Sequence, residues 1–264
     1  MLFARRVDLL ERRLARLPSL LVALSGGVDS AALLAVVARA LPGRVLAATA
    51  RSPAVPDEEV AAAAAAAAWL GVPHRVVESH ELGDAAYRAN RGDRCYFCRQ
   101  EMYSVLGRLA ETEGMARVAD GLLADDLLTD RPGVRAAKEH GVLHPLREAA
   151  FAKADARRLA RAWGLALHSK PAQPCLASRL PVGIEVTAGR LRRVHRAESA
   201  VRALGFREVR VRCEDRHGRI EIGTFELERA RRLRPELELA VCAAGFSTAA
   251  LDQAGYRMGG AGGK

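Results

Sequence analysis

Apolar runs alternate with polar, helix-period segments along the first half of the chain, and this alternation predicts strands and helices in turn. Leu20 to Leu24 is a continuous apolar run of strand length, bounded by Pro18 before it and by Ser25-Gly26-Gly27 after it. Ser30 to Leu41 carries a helix period, Arg44 to Ala50 reads as a strand, Asp57 to Leu70 as an alanine-dominated helix and Pro73 to Val77 as a strand. His80 to Arg94 reads as a polar connection, Tyr96 to Glu113 as a helix, and Met115 to Ala119 as a short strand ending in Asp120-Gly121. Strand-then-helix order predicts an α/β fold with a doubly wound parallel sheet, whose ligands gather at the carboxyl ends of the strands. The loop at Ser25, the turn after Ala50 and Asp120-Gly121 all fall on that edge.

Farther along, Phe151 to Trp163 is amphipathic and Leu165 to Arg179 is irregular and punctuated by proline. From Ile184 the pattern predicts a helix over Thr187 to Leu204, strands over Glu208 to Cys213 and Arg219 to Gly223, a helix over Glu226 to Arg234 and an apolar strand over Leu237 to Ala243. The expected division is a large domain over 1–183, a smaller α+β domain for substrate binding or assembly over 184–258, and a Gly-rich, disordered tail over 259–264. Alanine is the best helix former, so the run Ala61 to Ala68 reads as scaffold, with Asp57 as its expected cap and Glu58 and Glu59 in the first turn.

With 264 residues, half of them apolar, the chain can bury a sizeable core. No apolar run approaches the roughly 18 residues that span a bilayer. Met1 to Arg16 is charged and helical in period, unlike a secretory leader, so the expected residence is cytoplasmic with no membrane partner. The formal charge is +10, yet only Lys138, Lys153, Lys170 and Lys264 among the 41 basic residues are lysine. The arginine skew fits genome composition, whereas the positive charge is compatible with a phosphorylated or carboxylated substrate, and no nucleic-acid partner is expected.

Ser25-Gly26-Gly27-Val28-Asp29-Ser30 joins the first strand to the first helix of the alternating pattern. Its two glycines let backbone N–H groups approach an anion with no Cβ in the way, and the helix adds its positive end. The combination points to phosphate. It differs from the GxxxxGK[ST] loop, because no lysine follows the glycines and the spacing is shorter.

Five cysteines in such a chain argue against a disulfide framework. Cys213 and Cys242 lie in strand-like apolar stretches and are expected to be small buried hydrophobes. Cys95-Tyr96-Phe97-Cys98 opens the helix predicted from Tyr96, and Cys175 follows in the irregular segment. A structural zinc site wants four ligands, and no second CxxC or paired histidine completes one; a thioredoxin-like pair belongs in a much smaller unit. Three thiolates suit a 4Fe-4S cluster that keeps one iron open.

The loop from Ser25 to Ser30 resembles the signature of the N-type ATP pyrophosphatases, which split ATP between its α and β phosphates to adenylate an oxygen. Together with Asp120-Gly121, Arg131-Pro132-Gly133, Cys175 to Pro181 and Val209-Arg210-Val211-Arg212, it makes nearly the whole chain similar to the LarE-type ATP-dependent sulfur transferases. That resemblance implies adenylation of pyridinium-3,5-biscarboxylic acid mononucleotide and its conversion to thiocarboxylates, for the nickel-pincer cofactor of lactate racemase-type enzymes. It implies ATP and Mg²⁺ as cofactors, with Ser25, Gly26, Gly27, Asp29, Ser30, Arg99, Asp120 and Gly121 at the nucleotide and Asp29 placing Mg²⁺ through pyrophosphate. It also implies Cys175, Glu198 and Glu221 as catalytic residues, Cys175 bearing the sulfur and the two glutamates near it positioning substrate or metal or transferring a proton, with Arg179, Arg210 and Arg212 as substrate ligands.

Family members that also have a CxxC are thought to hold a 4Fe-4S cluster through three cysteines. Here these are Cys95, Cys98 and Cys175, so catalytic turnover with sulfide or another sulfur donor is expected rather than sacrifice of Cys175. A homo-oligomer is expected on the same resemblance. The segment Gly223 to Arg234 departs from the pattern by not clearly reproducing one acidic position. Competing expectations are a tRNA thiolase of the same superfamily, which usually appends an RNA-binding module, and an amide-forming synthetase, which needs no cysteine.

Overall fold

The computed structural model describes residues 2–127 and 132–256. In chain order its regular elements are α1 (Leu2–Leu14), β1 (Leu20–Ala23), α2 (Val28–Ala40), β2 (Val45–Arg51), α3 (Asp57–Trp69), β3 (His74–Glu78), α4 (Ala85–Ala89), α5 (Arg94–Thr112) and β4 (Val118–Ala119). There follow α6 (Pro132–Glu139), α7 (Pro145–Glu148), α8 (Lys153–Ala162), α9 (Ala188–Ala203), β5 (Val209–Glu214), β6 (His217–Ile222), α10 (Leu227–Arg232), α11 (Arg234–Ala243) and β7 (Thr248–Leu251). The tail expected to be disordered, 259–264, lies outside the described residues, as does Arg131. No helix among the described residues is long and apolar enough to cross a membrane.

The chain divides into two compact units: residues up to Glu81 with Cys95–Gln173, and Leu82–Arg94 with the chain from Pro174. This corrects the expected boundary at 183/184 and the reading of His80 to Arg94 as a mere connection. Asn90, in the left-handed region at φ 49°, donates through Nδ2 to the carbonyls of Pro181 and Ile184 at 2.7 and 2.9 Å. The amides of Gly183 and Val186 donate back to the carbonyls of Asn90 and Arg88. Backbone pairing of this kind ties 82–94 into the second unit.

In the first unit four parallel strands lie in the order β3-β2-β1-β4, the α/β architecture that the alternation predicts. β1 is buried on both faces, which is why it reads as an uninterrupted apolar run. Every residue of α2 from Val28 to Val37 except Asp29 is buried, because the helix packs against α1, α8 and β1. Asp57 is the first residue of α3 rather than its cap; Pro56 takes the cap position and makes no side-chain bond. The three acids of that first turn still meet the positive end of the helix. Strand order reverses between β1 and β4, so the loops after Ala23 and Ala119 flank the crevice where such sheets bind ligands.

The second unit is α+β, with a sheet in the order β5-β6-β7 on which α9 and α11 pack. β5 and β6 are antiparallel and β7 runs parallel to β6. The segment Leu237 to Ala243 belongs to α11, so the strand expected there is a helix and the last strand comes later. Leu237, Leu239 and Val241 fit either period, but Pro235 and Glu236 in the first turn and the Arg234–Glu238 pair at 2.7 Å favour helix. Helical geometry buries Leu237 and Val241 and leaves Leu239 72% exposed. Cys242 is accordingly on a helix and only half-buried, whereas Cys213 is buried in β5 as expected.

Candidate active site

The loop between β1 and α2 is shaped by close approach. Gly26 has φ +76°, and a Cβ there would lie 2.2 Å from the Glu59 carbonyl oxygen, so neither conformation nor space admits a side chain. A Cβ on Gly121 would lie 2.6 Å from the Ser30 amide nitrogen, which brings the turn after β4 directly against the start of α2. Ser30 Oγ accepts from the Ser25 amide at 3.1 Å and donates to the Gly27 carbonyl at 3.2 Å, bracing the loop from inside. Ser25 Oγ lies 3.1 Å from Ser30 Oγ.

Two of the chain's four lysines close around this loop. Lys153, at the start of α8, places Nζ 2.6 and 2.8 Å from the carboxylate oxygens of Asp29. Burial raises the pKa of Asp29 above the ordinary carboxylate value, with Lys153 opposing and Asp126 reinforcing the shift. Lys170 Nζ donates to the Gly26 carbonyl at 2.9 Å and to Glu59 Oε2 at 2.7 Å. Its backbone is held in turn from α8, since Arg157 donates to the carbonyls of His168 and Lys170 at 2.7 and 3.0 Å.

Asp120 is a buried hub. It accepts from Tyr103 Oη at 2.5 Å and Arg99 Nη1 at 3.2 Å on one oxygen, and meets His144 Nδ1 at 2.7 Å on the other. Burial opposes its charge, but His144, Arg99 and Tyr103 together hold its pKa below the ordinary value. Arg99 thus ties the first turns of α5 to the end of β4. A Cβ on Gly133 would lie 3.1 Å from Arg99 Cγ, so the absence of a side chain there lets α6 pack close against Arg99.

Cys95 is exposed and Cys98 half-buried on the first turn of α5, three residues apart and on one helix face. Cys175 is half-buried and lies in the second unit. None of the three is in a disulfide. Among the described residues no group of three or more His, Cys, Asp or Glu side chains is arranged to hold a metal ion.

Within the second unit Arg179 is 1% exposed. It meets Glu198 in a two-pronged pair, Nε to Oε1 at 2.7 Å and Nη2 to Oε2 at 3.0 Å, and its Nη1 donates to the carbonyls of Pro174 and Cys175 at 2.5 and 3.1 Å. Glu198 also accepts from Arg202 at 2.8 Å and from the Val211 amide at 3.1 Å. Burial alone would raise its pKa, yet the charges of Arg179, Arg202 and Arg210 hold it below the ordinary value. Arg210 and Arg212 share one face of β5, whose other face buries Val209, Val211 and Cys213. Arg212 pairs with Glu221 at 2.9 Å and donates to the Ser178 carbonyl at 2.9 Å, and Glu221 takes a second cation from Arg219 at 2.7 Å. Arg210 stacks 5.0 Å above the Tyr256 ring, and burial together with Arg179 lowers its pKa, surroundings that favour an incoming anion.

Every nucleotide-binding residue expected from the sequence lies in the first unit, where Gly26, Asp29, Ser30, Asp120 and Gly121 come together around one loop. Cys175, Arg179, Glu198, Arg210, Arg212 and Glu221 lie in the second. Sequence reasoning missed Lys153, Lys170, Glu59, Tyr103 and His144. For the lysines a signal existed: in a chain that otherwise uses arginine, a lysine marks a place where a compact ammonium suits better than a planar fork.

The family model for asparagine synthase matches residues 7–173, which spans nearly all of the first unit together with the 82–94 segment of the second. An uncharacterized protein of Synechocystis is 39% identical over 256 residues, covering 96% of each chain. Pyridinium-3,5-bisthiocarboxylic acid mononucleotide synthase of Lactiplantibacillus plantarum is 34% identical over 240 residues, covering 90% of this chain and 87% of its own. An uncharacterized protein of Methanocaldococcus jannaschii is 29% identical over 123 residues, 47% of this chain. Phosphate-loop geometry, a family match over the first unit and a relative aligned through both units agree, and the chain belongs to the ATP-using PP-loop family of asparagine synthase type and, within it, to the LarE-type proteins.

Proposed function

We propose that this protein is an ATP-dependent sulfur transferase that adenylates the carboxylates of pyridinium-3,5-biscarboxylic acid mononucleotide and converts them to thiocarboxylates. The observation that carries the reading is the braced Gly26 loop with Asp29, Lys153 and Lys170 around it, in a chain aligned over 90% of its length with a synthase of that bisthiocarboxylic product. Backbone amides of the loop and the start of α2 receive the phosphates. Lys153, which pairs with Asp29 in the structure, would turn to a phosphate oxygen of the nucleotide, and the released Asp29 would hold Mg²⁺, which supplies positive charge to the phosphates. A substrate carboxylate oxygen attacks the α phosphorus, the bond to the bridging oxygen breaks, and pyrophosphate leaves with its electron pair.

The acyl adenylate is activated because AMP is a good leaving group. A sulfur nucleophile attacks the acyl carbon, the C–O bond to AMP breaks, and a thiocarboxylate and AMP result. Arg210 on β5 offers a partly desolvated cation for the substrate's phosphate or carboxylate. Cys95, Cys98 and Cys175 would hold a 4Fe-4S cluster, which when bound supplies a labile sulfide at the iron without a protein ligand. The product's chemistry, two sulfur donors flanking a pyridinium ring, is that of a pincer ligand for nickel.

The test is ATP–pyrophosphate exchange with the purified protein. Exchange that requires the biscarboxylic mononucleotide supports the reading. Exchange driven instead by tRNA, or by a carboxylate with ammonia as acceptor, contradicts it.

A further inference from the structure

The family resemblance implies substrate binding for Arg179 and Arg212 and proton transfer for Glu198 and Glu221, but Arg179 and Arg212 spend their bonds on these two carboxylates and on one turn of main chain. Arg179 Nη1 holds the carbonyls of Pro174 and Cys175 and lies 3.1 Å from Ser178 Oγ. Arg212 Nη1 holds the Ser178 carbonyl. Behind them Glu198 fixes Arg179 and Arg202 and takes the Val211 amide, while Glu221 fixes Arg212 and Arg219. The turn over Pro174 to Arg179 is thus gripped at three carbonyls by two arginines, each locked by its own carboxylate.

Glu198 and Arg179 are each at most 1% exposed, and the two-pronged pair uses both carboxylate oxygens. A proton-transfer group needs an open lone pair and an approach from solvent or substrate. A substrate arginine needs its outer N–H groups clear of the protein, yet all three guanidinium nitrogens of Arg179 already donate within the second unit.

We propose that the buried Arg179–Glu198 pair, with Arg212–Glu221 beside it, is a frame of positioning residues that sets the orientation of the Cys175 turn. It rests on the sulfur-transfer reading only for what the cysteine then does. The frame itself concerns how the thiol is presented.

Peptide-resolved alkylation of the cluster-free full chain by iodoacetamide, followed over pH, tests it. Arg179→Lys keeps the charge but loses the fork, and Glu198→Gln keeps the shape and one acceptor. Both should change the alkylation rate of Cys175 about tenfold or more, and should leave the rates at Cys95 and Cys98 and the KM for ATP unchanged. Where Arg179→Lys does not fold, Glu198→Gln gives the same reading. An unaltered rate at Cys175 together with a raised KM for the carboxylate substrate overturns the frame and makes Arg179 a substrate ligand. Altered alkylation in the variants, with no thiocarboxylate from the unsubstituted protein, overturns the sulfur-transfer reading and keeps the frame.

Discussion

Lys153 Nζ stands 2.6 Å from one carboxylate oxygen of Asp29 and 2.8 Å from the other, so the helix that follows the phosphate loop is bound to the first residue of α8. An ammonium in that position serves a triphosphate as readily as it serves the aspartate. Replacing Lys153 by Met removes a hydrogen bond to a charged group, which is worth roughly 1.5–3 kcal/mol, so the KM for ATP in pyrophosphate exchange should rise about 10- to 100-fold. An unchanged KM would place Lys153 outside nucleotide binding.

Gly26 is fixed by two independent constraints, its φ of +76° and the Glu59 carbonyl oxygen, which a Cβ would meet at 2.2 Å. Left-handed backbone costs a side-chain-bearing residue about 1–2 kcal/mol, and overpacking adds roughly 1–3 kcal/mol more. Gly26→Ala should therefore lower the melting temperature and abolish ATP binding by calorimetry. Gly27→Ala, whose Cβ meets only Ser25 Oγ at 3.3 Å, should fold with a melting temperature close to that of the unsubstituted protein.

Much of this first unit was legible in the sequence because its cues are local. A strand buried on both faces must read as an apolar run, and a loop that admits backbone against an anion must be rich in glycine. The second unit was less legible. Leu237 to Ala243 satisfies both periods, and only the Pro235 start and the Arg234–Glu238 pair decide between them. Asn90 joins 82–94 to Pro181 and Ile184, an association between distant segments that no local pattern records. Glu198 lies within the buried stripe of α9 beside Val194, Ala197 and Val201, so its position signalled burial, but its partner Arg179 was visible only in three dimensions.

Asp120 and Glu198 both have folded-state pKa values below the ordinary carboxylate range, each despite the opposing effect of burial. Unfolded, each binds protons at higher pH than it does folded, so its stabilisation is complete above the ordinary pKa near 4 and fades as pH falls below it. Asp120→Asn and Glu198→Gln should each flatten the acid limb of a denaturant-midpoint profile below about pH 4. Breaking the Arg179–Glu198 pair with Glu198→Ala leaves an enclosed guanidinium and should cost about 3–5 kcal/mol at neutral pH. An acid limb of unchanged slope in both conservative variants would contradict these assignments.

Cys95, Cys98 and Cys175 give a prediction separate from nucleotide binding. Protein purified without oxygen should be brown and carry about four irons per chain, and serine at any of the three positions should lower iron and colour while leaving ATP binding intact. A colourless protein in which Cys175 becomes dehydroalanine after one turnover would instead make that cysteine a consumed sulfur source.

The most direct measurement is mass spectrometry of the nucleotide after anaerobic incubation of the full chain with ATP, Mg²⁺, sulfide and pyridinium-3,5-biscarboxylic acid mononucleotide. The expected result is replacement of carboxylate oxygen by sulfur, with one AMP and one pyrophosphate released for each thiocarboxylate formed. Release of AMP and pyrophosphate with no sulfur in the product, or an amide in its place, would contradict it.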